Sequence, residues 1–160
     1  TRDSTTTRNV SGRWSLDLMR VLGLDLGTKR IGIAVSDRSG TIATPFLVLQ
    51  RSKTKSQDHA EILRLILEEE AVAIVVGMPY TLRGEMGATA KSAEAECTQL
   101  AKVVGVPVYI HDERFTTVTA DRALMEARMK ADARRRVVDK VAAAVMLQSW
   151  LDAQPKQETS

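Results

Sequence analysis

The hydrophobic period of this chain changes once, near residue 50, and that change dictates how its strands can be connected. Before it, Val21 to Asp25 and Ile31 to Val35 are short aliphatic, β-branched runs separated by the turn Leu26-Gly27-Thr28-Lys29-Arg30, the pattern of a hairpin. Ser36 to Gly40 is a second turn, with Asp37 near its head and Gly40 where a positive φ is favoured. Thr41 to Leu49 supplies a third strand, which Pro45 confines to an edge or a bend. After a basic loop holding Arg51, Lys53 and Lys55, Ile62, Leu63, Ile66 and Leu67 fall at helical spacing and predict an amphipathic helix over 56–70. Val72 to Val76 is an unbroken apolar run of strand length, suited to a strand covered on both faces. Ala90, Ala93, Cys97, Leu100, Ala101 and Val104 then make one face of a second helix ending at Gly105, and Val106 to His111 gives a fifth strand. A third helix capped by Thr117 runs to about Arg128, a charged connector covers 130–136, and a last helix spans 137–151.

Three meandering strands followed by two reached through helices make an α/β fold. It is a five-stranded mixed sheet, three antiparallel strands then two parallel, with helices on both faces. Residues 1–20 are rich in Ser, Thr and Arg and lack apolar periodicity, so the reading is a disordered N-terminal tail, a single domain over 21–152 and a flexible tail over 153–160. No apolar run reaches the ~20 residues that span a bilayer and the N-terminus has no apolar signal region, which predicts a cytoplasmic protein with no membrane partner. Cys97 is the only cysteine and lies on an apolar helix face, as a buried small hydrophobe does. Of the formal charge of +3, four arginines and two aspartates in the first 20 residues supply +2, leaving 19 basic against 18 acidic side chains. Any nucleic-acid reading must therefore come from where charges sit, not from their sum.

Position singles out four acids. Asp25 ends the first strand, Asp112 and Glu113 end the fifth, and Asp139 falls in the first turn of the last helix, where the helix dipole favours an ionised carboxylate. With the first and fifth strands as parallel neighbours, their carboxyl ends lie side by side at a cleft. Ala142, Ala143 and Ala144 let the last helix approach the sheet and bring Asp139 toward Asp25. Carboxylates without Cys or His partners suit Mg²⁺ or Mn²⁺ rather than Zn²⁺. Acids at strand ends are also common as plainly solvated residues, and spacing leaves both readings open, as it leaves open which of Asp112 and Glu113 faces the cleft.

Four segments make the pattern more specific. LGLDLGTKRIGIAVSD (22–37), VVGMP (75–79), DERFTT (112–117) and DKVAAAVMLQSW (139–150), in this order, closely resemble the YqgF family, also called RuvX, over residues 20–152. The resemblance implies an RNase H-like fold similar to RuvC-type Holliday junction resolvases. It also implies a divalent-metal nuclease whose catalytic, metal-holding acids are Asp25, Glu113 and Asp139, acting in 5′-end processing of pre-16S rRNA and, by analogy, on branched or single-stranded DNA. Junction resolution would call for a homodimer. Relatives of RuvC type carry a fourth acid on the last helix, and residue 142 here is Ala. That departure favours the alternative of a non-catalytic nucleic-acid-binding or transcription-associated module. Gly27 and Gly32 would let a substrate backbone approach, with Thr28, Lys29 and Arg30 donating to phosphate. Arg114 follows Glu113, and Arg134, Arg135 and Arg136 precede Asp139, all placed to meet phosphate. LGLDLGT also resembles the first phosphate loop of actin-like and sugar-kinase ATPases, whose nucleotide site needs two such domains.

Overall fold

A computed structural model describes residues 20–79, 87–113 and 131–155, apart from the side chains of 131–135. β1 (Arg20–Leu26), β2 (Arg30–Ser36) and β3 (Ala43–Gln50) precede α1 (Lys55–Glu69), β4 (Ala71–Met78), α2 (Ala88–Val104), β5 (Val108–Asp112) and α3 (Ala131–Asp152). The five strands form one sheet in the order β3-β2-β1-β4-β5. β2 is antiparallel to both β1 and β3, whereas β4 runs parallel to β1 and β5 parallel to β4. The mixed sheet expected from the period change is therefore present. Pro45 acts as expected, since β3 is an edge strand and its register with β2 shifts between Ile33 and Ala34 so that Ala34 faces Pro45. Gly40 has φ 69° and Gly105, closing α2, has φ 70°.

Four expectations need correction. β1 and β5 are not neighbours, because β4 lies between them. The last helix already includes Ala131, so residues 131–136 of the charged segment are helical and Asp139 lies at least about two turns inside α3, not in its first turn. Arginine and alanine are strong helix formers, and a run of charge marks a solvated helix face as readily as a loop. Arg20, assigned to the tail, is the first residue of β1 and pairs with Glu69 at 3.3 Å. On α1 the buried stripe is Ile62, Leu65 and Ile66, while Leu67 is 56% exposed. The expected third helix, with Thr117, falls outside the described residues.

Strand alternation divides the core into two layers. Leu22, Leu24, Ile31, Ile33, Ile74, Val76 and Met78 project toward α1 and α2, where they meet Ile62, Leu65, Cys97 and Leu100. Val21, Ala34, Ala73 and Val75 project the other way, onto Ala142, Ala143, Met146 and Leu147 of α3. The second layer is built of small residues because α3 lies almost on the backbone of the sheet. A Cβ placed on Gly23 would stand 2.8 Å from the Cβ of Leu147, and one on Gly32 would stand 2.1 Å from the carbonyl oxygen of Asp139. Gln148 fixes the helix laterally, accepting from the Ala43 amide at 2.9 Å and donating to the Thr41 carbonyl. Among the described residues no helix is long and apolar enough to cross a membrane.

Two outcomes are expected from this packing. Gly32→Ala must push α3 off the sheet, with a loss of about 1–3 kcal/mol typical of overpacking or somewhat more, since the obstacle is backbone. Urea denaturation of the variant measures it. Cys97 is buried, and that burial, with the charges of Glu96 and Glu94, pushes its thiol up to about 11. The native protein should therefore react with a thiol reagent only as fast as it opens, and urea should accelerate the reaction sharply.

Candidate active site

Asp25 lies near the carboxyl end of β1, the middle strand, and pairs with Gly32 of β2. Paired residues in a sheet share a face, so Asp25 projects to the side covered by α3. Two glycines beside it bring the other acids in. Gly32 receives the backbone of α3 at Asp139, whose carbonyl occupies the space a side chain would need. On the other flank, the parallel register that pairs Leu24 with Val76 places Gly77 one step further on, next to Asp25. The Glu113 carboxylate lies over Gly77, with Oε1 2.5 Å from where a Cβ would be.

This arrangement resolves both the gap between β1 and β5 and the choice of acid. β4 separates the two strands, but its residue at that level has no side chain, so Glu113 reaches over it toward Asp25. Asp112 is the register partner of Met78, whose side chain belongs to the α1–α2 layer, and so projects away from Asp25. Glu113 falls on the α3 side by alternation. Asp139 projects its carboxylate to Arg30, whose Nε donates to Oδ2 at 2.7 Å in a half-buried ion pair. Ala142 is buried in the α3 layer.

The donor set of Asp25, Glu113 and Asp139 is all carboxylate oxygen, the chemistry that suits a hard divalent cation. Among the described residues, no three His, Cys, Asp or Glu side chains stand close enough together to hold a metal ion. Asp139 is engaged by Arg30 at 2.7 Å, so a shell that included Asp139 would have to displace that guanidinium.

The basic residues are less uniformly placed. Thr28 and Lys29 are exposed at the tip of the β1–β2 turn, between the end of β1 at Leu26 and the start of β2 at Arg30. Arg30 is turned inward to Asp139. Arg136 is exposed on α3, three residues before Asp139 and so on the same side of the helix. Arg134 and Arg135 belong to the helical backbone of α3, their side chains lying outside the described set, and Arg114 is outside the described residues. The glycines differ from expectation. Gly32 admits α3, not a substrate backbone, and a Cβ on Gly27 would stand 2.5 Å from the Arg30 carbonyl, so Gly27 is required by the turn itself.

Sequence reasoning missed a buried charged cluster behind this turn. Arg51 donates to both carboxylate oxygens of Glu96, at 2.6 and 2.8 Å, and to Asp58 at 3.3 Å. His59 Nε2 pairs with Glu96 at 2.9 Å, and the Ser52 amide and hydroxyl donate to Asp58 at 2.8 and 2.6 Å. The available signal was polar residues at core spacing: His59 stands three before Ile62, and Glu96 four before Leu100. A cavity of about 370 Å³ opens beside the cluster, lined by Thr28, Arg51, Lys55, Thr89, Ser92 and Glu96 among others. Burial raises the Glu96 carboxyl, but the bonds and charges of Arg51 and His59 outweigh it and hold the group below its ordinary 4.5. Asp58 is likewise raised by burial and held below 3.8 by Ser52 and Arg51. A depressed carboxyl stabilises the fold above its unfolded-state value and loses that contribution as pH falls through the folded one. The melting temperature should thus be steady above about pH 5 and fall below about pH 4. Glu96→Gln should lower it at neutral pH and flatten the acid decline, as calorimetry across pH would record.

The profile of the RuvX family, described as Holliday junction resolvase, matches residues 19–153. A Rhodococcus opacus protein named "Putative pre-16S rRNA nuclease" is 47% identical over 137 residues, covering 83% of this chain and 77% of its own length. Proteins of the same name from Nocardia farcinica and a Mycobacterium species are 44% and 42% identical, again across 83% of this chain. Among solved structures, Thermus thermophilus RuvC in complex with a Holliday junction substrate superposes with a TM-score of 0.55 at 21% identity, covering 84% of this chain and 94% of that one. At that identity the likeness speaks for the fold, which is RNase H-like.

Proposed function

The chain belongs to the RuvX family of nucleases, and from that premise we propose that it hydrolyses phosphodiester bonds in the 5′-end processing of pre-16S rRNA, with Asp25, Glu113 and Asp139 as its catalytic acids. One observation carries the reading. Gly32 and Gly77 flank Asp25 on the strands to either side, and they are the positions over which Asp139 and Glu113 are seated. The backbone of α3 at Asp139 and the carboxylate of Glu113 are thus seated on the two strands that neighbour Asp25.

The same three side chains would hold Mg²⁺ or Mn²⁺, and such an ion supplies Lewis-acid neutralisation of phosphoryl and leaving oxygens. Asp25 sets the position of the site, because it stands on the middle strand of the sheet, between two residues that cannot move without displacing α3 or Glu113. Thr28 and Lys29 donate to a substrate phosphate from the exposed turn, and Arg136 does so from the helix face shared with Asp139. Arg114, Arg134 and Arg135 stay candidate phosphate contacts by their place in the sequence, next to Glu113 and Asp139. Arg30 has a different part from Lys29: it neutralises Asp139, and it would be free to meet phosphate were Asp139 to hold a cation instead. The competing reading, a non-catalytic nucleic-acid-binding module, draws on Ala142, which offers no fourth carboxylate to the site.

Asp25→Asn tests the proposal. Cleavage of a pre-16S fragment in Mg²⁺ or Mn²⁺ should fall by more than about 100-fold, beyond the cost of losing an outer-shell partner, while the fragment remains bound. Calorimetric Mn²⁺ uptake should disappear in the same variant. Cleavage at the wild-type rate overturns the assignment, and binding without cleavage by the wild-type protein with any divalent ion favours the non-catalytic module. Arg30→Ala should tighten Mn²⁺ binding, because the cation no longer competes with a guanidinium for Asp139.

A further inference from the structure

We propose that Arg51 is a positioning residue for the β1–β2 turn, holding the phosphate-contacting tip and Arg30 in place from the face of the sheet opposite α3. The proposal rests on the reading of that turn as a substrate contact, and it names the side chain on which the contact depends.

Arg51 follows the last residue of β3 and extends the sheet by one bond, its amide donating to the Lys29 carbonyl at 2.9 Å. Its side chain then turns back under the turn, and Nε donates to the Gly27 carbonyl at 3.0 Å. The turn is thereby held from outside at both Gly27 and Lys29. From inside it is closed by the Gly27 amide, which donates to the Asp25 and Arg30 carbonyls at 3.1 and 3.0 Å. Between these fixed points stand Thr28 and Lys29, and immediately after them Arg30 reaches Asp139 at 2.7 Å.

The guanidinium is itself immobilised. Its two terminal nitrogens are engaged by Glu96 and Asp58, whose side chains are 3% and 5% exposed, and Glu96 is further held by His59. A planar fork whose other nitrogens are locked can present Nε in one direction only. Lysine keeps the charge but has a single nitrogen, which cannot serve two carboxylates and the Gly27 carbonyl together. The side chain of Arg51 is taken up by the Gly27 carbonyl, Glu96 and Asp58, and its influence on the tip passes through the backbone of the turn.

Arg51→Lys and Glu96→Gln, compared with the wild-type chain, separate positioning from plain stabilisation. Both remove part of the buried cluster, and both should lower the melting temperature. Only Arg51→Lys removes the bond to Gly27. It should speed hydrogen exchange at the Gly27 to Arg30 amides and raise KM for a pre-16S fragment about tenfold with kcat little changed, the range of an outer-shell loss. Glutamine at 96 keeps one acceptor oxygen for the guanidinium and Asp58 holds it as before, so Glu96→Gln should leave turn exchange and KM near wild type. Unchanged turn exchange in Arg51→Lys overturns the proposal, as does a KM that rises in both variants in step with their lost stability. Should Arg51→Lys fail to fold, Arg51→Met combined with Glu96→Gln leaves no unpaired carboxylate at 96 and answers the same question. If the wild-type protein neither binds nor cleaves the fragment, the functional reading fails while the exchange measurement still decides the role of Arg51.

Discussion

The near-contact of α3 with the sheet is the constraint on which the site depends. Side chains on both surfaces normally hold a helix away from the backbone of the sheet it covers. Here Gly23 and Gly32 remove them at two levels, and Ala142 and Ala143 continue the same economy on the helix. The consequence is chemical as well as steric. A helix set this close delivers Asp139 onto the strand that pairs with Asp25, and Gly77 leaves room for Glu113 to cross a strand it would otherwise be screened by. The glycines that weaken β-propensity locally are the ones that let carboxylates from separate elements share a neighbourhood.

Among the described residues, the β1–β2 turn lies between two sets of ion pairs, one on each side of the sheet. On the α3 side Arg30 balances Asp139, and on the other side Arg51 balances Glu96 and Asp58. The two arginines stand at opposite ends of the β2–β3 connection to the turn, each tied to the Gly27–Arg30 backbone or part of it. Buried carboxylates unpaired by a cation would strongly oppose folding. Each cluster therefore fixes its side chains as firmly as the apolar layers fix the strands, and the exposed tip between them inherits that order.

Much of the chain's organisation was legible before any coordinates. The change from period 2 to period 3.6 gave the three meandering strands and the two returning ones, because alternation and helical spacing each report a face that must be buried. Pro45 placed β3 at an edge and Gly105 closed α2, both through backbone chemistry that acts locally. The misreadings share a cause. The charge over 130–136 suggests a connector because charge marks loops, yet a helix with one buried face carries charge on the other. In the sequence Arg51 is one of three cations of a basic loop, since nothing local distinguishes an arginine that folds back onto Glu96, 45 residues away.

By itself, then, the sequence determined the elements, their order and the acids available, since those follow from periodicity, propensity and residue type along the chain. Tertiary structure decided which acid faces which. Glu113 rather than Asp112 lies on the side of Asp25 because register with β4 sets the parity of β5. β4 rather than β5 neighbours β1, and only a glycine at 77 makes that order compatible with the site. Arg30 was separated from Lys29 beside it by reaching Asp139 across 109 residues of sequence, a contact that exists only once α3 has settled on Gly32.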